Sequence, residues 1–144
     1  MTVSGIADIL GGKKALKKKV ETSSDLEEVT RAGLFVSTLD TLAGELGVER
    51  VAVARLLGIS ERTLSRRVTT STRLTTLESD RMVRLARVLA LAKETLGDME
   101  KAGRWLQTPN RALEGKKPFD RLDTDAGVRA IEQVLGHIEY GLYS

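Results

Sequence analysis

The chain has 144 residues, of which 41% are apolar and 30% charged, with no cysteine, one histidine and a net charge of +3. That length fits one domain or two small helical units sharing a core, and the lack of cysteine excludes a disulfide framework and a thiolate metal site. No apolar stretch approaches the ~18 residues that span a bilayer, and residues 1–12 lack the basic start and apolar run of an export signal, so a cytoplasmic protein is expected.

Aromatic residues make up only 3%, so Ala, Leu and Val must fill the core, which suits close helix packing. The charge is uneven: residues 1–74 hold 12 Lys/Arg and 9 Asp/Glu, whereas residues 75–144 hold 11 of each. A surplus of this size does not by itself argue for nucleic acid.

Residues 1–33 read as an N-terminal arm followed by a short helix. Gly5, Gly11 and Gly12 interrupt a weak apolar pattern, and Lys13, Lys14, Lys17, Lys18 and Lys19 follow. The arm reads either as a basic segment that touches phosphate or as a solvated, partly ordered tail. Gly12-Lys13 does not make a phosphate loop, because the required first glycine falls on Ala7 and Lys14 replaces the Ser or Thr. Ser24 with Glu27 has capping-box spacing, so a helix is expected there, ending near Gly33.

Residues 34–74 read as a helix-turn-helix unit. Leu39, Leu42 and Ala43 have helical spacing up to Gly47, and Val51, Ala54, Leu56 and Leu57 repeat it up to Gly58. Ser60 caps a helix running to about residue 68. Within residues 50–69, Ala54 supplies the small residue at the helix crossing and Gly58 the left-handed turn. Ile59 and Leu64 supply the apolar contacts. Arg67 stands where a last apolar residue is expected, and Val68 can take that place. The second helix would enter the major groove with Ser60, Glu61, Arg62, Ser65 and Arg66 outward. Arginine pairs bidentately with guanine and serine meets phosphate or base; Glu61 repels phosphate unless it accepts from cytosine. Arg67 and Arg73 are assigned to phosphate contact. A plain helical hairpin with solvated arginines is the alternative.

Residues 75–144 read as a second helical unit. Thr75 with Glu78 forms a capping box opening the longest helix, whose Met82, Leu85, Ala86, Leu89, Ala92 and Leu96 line one face up to Gly97. Asp98 caps a short helix through Leu106. Thr108-Pro109-Asn110 reads as a cap followed by proline at the first helical position, and Pro118 opens another turn. Thr124 starts the last helix, with Val128, Ile131, Val134, Leu135 and Ile138 at 3–4 spacing. Gly127 and Gly136 lie inside it at a cost of about 1 kcal/mol each relative to alanine, which implies close packing, internal or to a partner. With no strand alternation anywhere, the expected fold class is all-α.

Trp105-Leu106, Pro109-Asn110, Gly115 and Pro118, Leu122-Asp123-Thr124, Gly127 and the closing Ile138-Glu139-Tyr140-Gly141 form an ordered string. It resembles the toxin-binding domain of the Xre/MbcA/ParS antitoxin family, and the helix-turn-helix upstream matches that family's arrangement over roughly residues 34–144. The resemblance implies an antitoxin that binds a RES-type toxin, one that consumes NAD or uses it to modify a target, and that blocks the toxin with its C-terminal end. The contact surface so implied is Glu139, Tyr140, Gly141, Leu142, Tyr143 and Ser144. Arg104 pairs either with a carboxylate such as Asp98 or Asp120 or with the partner protein. Trp105 reads most simply as a core aromatic. The tail is either an amphipathic anchor or folded back on the core.

A helix-turn-helix protein usually binds paired half-sites as a dimer, so a homodimer on operator DNA and repression of its own operon are expected; the rival is a stand-alone transcription regulator. Catalysis is not expected: His137 is the sole histidine, nothing resembles a nucleophile elbow, and no metal-ligand spacing stands out. No cofactor is expected.

Overall fold

The computed structural model describes residues 2–139. In chain order the α-helices are α1 (Val3–Ile9), α2 (Gly12–Leu16), α3 (Ser23–Ala32), α4 (Thr38–Leu46), α5 (Arg50–Leu56), α6 (Glu61–Thr70), α7 (Thr76–Leu96), α8 (Met99–Leu106) and α9 (Asp125–Glu139). Short 3-10 turns lie at Arg111–Leu113 and Pro118–Arg121. Among the described residues there is no strand, only isolated bridges between Phe35 and Arg73 and between Asn110 and Lys116. The all-α class read from the sequence is the observed one.

The apolar stripe of α7 is the axis of the fold. Thr75 Oγ1 accepts from Glu78 N at 3.1 Å and Glu78 Oε1 accepts from Thr75 N at 2.8 Å, the reciprocal cap that its sequence announces. Met82, Leu85, Ala86, Val88, Leu89 and Ala92 are then fully buried. Helices α1, α3, α8 and α9 pack against α7. The alanines let neighbours approach closely, and each buried leucine contributes about 1.5–3 kcal/mol.

Residues 2–20 differ from the solvated tail that was one reading of the sequence. Ile6, Ile9 and Leu10 are buried at i, i+3 and i+4, a helical stripe on α1 that docks on α7, and Leu16 and Val20 are buried behind them. Thr2 caps α1 by accepting from Gly5 N at 3.0 Å. Gly11 at φ +106° turns the chain between α1 and α2 rather than loosening it. The α3 capping box is formed by Thr22 and Asp25, two residues earlier than Ser24 and Glu27, because Asp25 accepts from the N–H groups of both Glu21 and Thr22 at 3.1 Å. Pro109 lies outside a helix rather than at its first position. Asn110 is the cap, its Oδ1 accepting from Ala112 N at 2.9 Å, and Asn110 N reaches Lys116 O at 3.0 Å to close the loop.

Gly127 and Gly136, equivalent in the sequence, differ in the structure. A Cβ on Gly127 would stand 1.7 Å from the Arg121 carbonyl oxygen, so the start of α9 passes directly over the Pro118–Arg121 turn. At Gly136 none of the described atoms comes within 4 Å of the same point. Gly127→Ala is therefore expected to cost about 1–3 kcal/mol, as overpacking does. Gly136→Ala should gain up to about 1 kcal/mol from helix propensity. Urea unfolding of the two variants checks this, and equal shifts of their midpoints would contradict it.

Candidate DNA-reading and partner-binding surfaces

The turn between α5 and α6 is built by backbone bonds around one left-handed residue. Gly58, at φ +78°, donates to Arg55 O at 3.1 Å, and Ile59 donates to Ala54 O at 2.9 Å. This wraps the end of α5 and aims the chain into α6. Ala54, Ile59 and Leu64 are all buried, so the helix-turn-helix sits where the sequence placed it. Ser60 Oγ accepts from Thr63 N at 3.2 Å, which commits this hydroxyl to the helix cap. Glu61, Arg62, Ser65 and Arg66 are exposed along one side of α6. No ion pair engages Glu61, Arg62 or Arg66 among the described residues. Glu61 occupies the first turn, where a carboxylate suits the helix dipole.

The two arginines assigned to phosphate differ in their placement. Arg67 turns inward to an ion pair with Glu78, both side chains mostly buried, and Val68 packs against the core in the apolar place that Arg67 vacates. Arg73 lies over the Phe35 ring, 4.5 Å from its centroid, and donates to Ala32 O at 3.4 Å. It remains exposed. Helix α7 adds two further ties that sequence reasoning missed. Ser79 Oγ, fully buried, accepts from Leu34 N at 2.8 Å, and Arg81 Nη1 donates to Leu57 O at 2.9 Å, at the end of α5. A Cβ on Gly33 would meet Leu74 O at 2.3 Å, so the chains entering α4 and α7 touch backbone to backbone.

The C-terminal candidates lie on helices that share their supports. Both α8 and α9 pack on α7 and on the Pro118–Arg121 turn. Gly103 brings α8 close to the end of α4, where a Cβ would stand 3.4 Å from Leu46 O. Trp105 is half-buried against the core, joining α8 to it. Arg104 is exposed with no ion pair to Asp98 or Asp120 among the described residues; Asp98 instead caps α8, accepting from Lys101 N at 2.8 Å. Arg87 on α7 grips Glu132 on α9 through two hydrogen bonds of 3.1 and 3.3 Å. Glu139 is the exposed last residue of α9. Tyr140, Gly141, Leu142, Tyr143 and Ser144 lie outside the described residues. Among the described residues no group of three acidic, histidine or cysteine side chains could hold a metal ion, and no helix is long and apolar enough to cross a membrane.

Residues 25–87 match the antitoxin Xre-like helix-turn-helix domain, and residues 91–141 match the antitoxin Xre/MbcA/ParS C-terminal toxin-binding domain. The chain is 31% identical over 120 residues to "Antitoxin Xre" of Yersinia enterocolitica, covering 83% of this chain and 81% of that protein. It is 24% identical over 125 residues to the "Prs ADP-ribosylating antitoxin" of a Sphingobium species, covering 81% of this chain and 79% of that one. Its fold matches a chain in the crystal structure of the M. tuberculosis MbcT–MbcA toxin–antitoxin complex with a TM-score of 0.55 and 25% identity, over 76% of this chain and 96% of that one.

The Arg67–Glu78 pair makes the seating of α6 sensitive to acid. Burial pushes the Glu78 carboxyl up, but the Thr75 N–H bond and the hydrogen bond and charge of Arg67 outweigh it, leaving the group below its ordinary value of 4.5. A depressed carboxyl contributes stability above its unfolded pKa and loses it as pH falls through the folded one. Glu78→Gln should therefore lower stability by about 1–3 kcal/mol at neutral pH, and wild type and variant should converge as pH falls below 4.5. Thermal melts from neutral to acid pH test this, and parallel curves throughout would count against it.

Proposed function

The chain belongs to the Xre/MbcA/ParS antitoxin family, and from that premise we propose that it neutralises a RES-type, NAD-consuming toxin and represses its own operon by binding operator DNA through α6. It is the antitoxin of a toxin–antitoxin system and binds a toxin; the family is one of antitoxins rather than enzymes. The observation that carries the reading is the match of residues 91–141 to a toxin-binding domain, a range that contains both Arg104 and the end of α9. The relative named for ADP-ribosylation supports the chemistry of the toxin, because an ADP-ribosyl group is drawn from NAD. The chain acts by occlusion, not catalysis. Glu139 and residues 140–144 cover the toxin, and Arg104 supplies a charged contact beside them. Two tyrosines and a leucine in that segment are the residue types that anchor protein interfaces.

For DNA, the support is the exposed side of α6. Arg62 and Arg66 are free to reach guanine edges, while Ser60, Glu61 and Ser65 lie beside them. Arg73 keeps an exposed position suited to phosphate; Arg67, held by Glu78, positions α6. A homodimer would present two such helices to paired half-sites. The units we assign are the arm and first helix over 1–33, the helix-turn-helix over 34–74 and the toxin-binding unit over 75–144.

Two experiments test these assignments. Cells co-expressing the neighbouring toxin should keep their NAD with the full chain and lose it with a chain ending at Glu139 that remains folded; full protection by the shortened chain would refute the role of residues 140–144. Arg62→Ala and Arg66→Ala should each abolish retardation of the protein's own promoter fragment in a gel. Undiminished retardation by both would remove α6 as the reading helix.

A further inference from the structure

Five lysines fall between residues 13 and 19, upstream of both matched domains, the first of which begins at residue 25. Two are neutralised within the chain: Lys18 by Glu28, and Lys19 by Glu21 at 2.9 Å. Lys13, Lys14 and Lys17 are exposed and engaged by no ion pair among the described residues. They are not carried on a loose arm. Ile6, Ile9 and Leu10 anchor α1 on α7, and Leu16 and Val20 are buried on either side of Lys17. Lys17 itself closes α2 at φ +60°, in the left-handed region where a side chain costs about 1 kcal/mol or more and glycine costs little. A cation is thus held on a fixed frame at a strained position.

That frame reaches the segment that follows α6. Lys17 and Lys18 line one cavity with Phe35 and Arg73. Arg73 lies two residues beyond Ser71, which caps α6 with its own left-handed turn, and is steadied over the Phe35 ring. We propose that Lys13, Lys14 and Lys17, together with Arg73, form a preorganised phosphate-binding surface that grips the DNA backbone flanking the bases read by α6. This rests on the DNA-binding reading above. DNA is favoured over the toxin as the occupant because the cavity includes Arg73, just beyond the end of α6, whereas the expected toxin contacts are Arg104 on α8 and the segment from Glu139 onward. It also places the basic surplus of residues 1–74 where a polyanion would use it.

The test is binding of full-length protein to a promoter duplex and to a scrambled duplex, followed by fluorescence anisotropy across a salt series. Replacing Lys13, Lys14 and Lys17 together by Gln should weaken both duplexes by the same factor. The slope of log K against log salt should fall by about 2–3, because each phosphate contact contributes roughly 0.9. Arginine at the same three positions should restore it. An unchanged slope with binding intact overturns the proposal and leaves α6 as the reader. An unchanged slope with impaired toxin neutralisation overturns it in favour of a toxin-facing role. Failure of the wild-type chain to bind any duplex overturns the DNA-binding reading and this proposal with it. Equal thermal melts for the three proteins confirm that the comparison concerns charge and not folding.

Discussion

Three polar contacts made by the first turns of α7 fix where α6 and the rest of the helix-turn-helix stand. Glu78 holds Arg67 from α6, Ser79 accepts the Leu34 N–H before α4, and Arg81 reaches the Leu57 carbonyl at the end of α5. Apolar burial supplies most of the stabilisation but has no direction. Without directional contacts, α4, α5 and α6 could shift relative to α7 at little cost. Because the ties involve backbone groups as well as side chains, they set the rotation and height of α6. An exposed arginine reads a base edge only when its helix is set to within about a hydrogen-bond length. The Gly33–Leu74 contact closes the same joint from the other side, leaving no room for a side chain between the two backbones.

The same helix carries the other surface. The two matched ranges meet between residues 87 and 91, inside α7, so the domains they describe share one continuous helix. Toward the middle of α7, Arg87 clasps Glu132 of α9, and Leu89 and Ala92 continue the buried stripe. Two matched domains are thus referred to one rod of 21 residues, about 30 Å long at 1.5 Å per residue. Gly103 against Leu46 and Gly127 against Arg121 add two places where backbones meet with no side chain between them.

Local signals in the sequence were read well. The box at Thr75 and Glu78, the left-handed turn at Gly58, the cap at Ser60 and the 3–4 stripes of α7 and α9 are each decided within a few residues, and each is observed. What escaped depends on partners far along the chain. Ile6, Ile9 and Leu10 form too short a stripe to be persuasive alone, and their partner α7 lies some seventy residues away. Arg67 sits in the second helix of the helix-turn-helix with every appearance of a phosphate contact, and only the folded α7 reveals Glu78 beside it. Gly127 and Gly136 carry the same penalty in the sequence; the Arg121 carbonyl distinguishes them only in space. The shift of the α3 box from Ser24 to Thr22 was a choice between two similar local patterns, and Asp25 decided it by serving two N–H groups at once.

The burial of α7 by both ends of the chain bears on how the protein is made. Helix α9 is synthesised after α7, and until it emerges the buried stripe of α7 lacks the cover of α9. A nascent or prematurely terminated chain therefore displays an apolar stripe, the feature that holdases and proteases engage. Once α9 has docked, the same stripe joins the helix-turn-helix range and the toxin-binding range into one core.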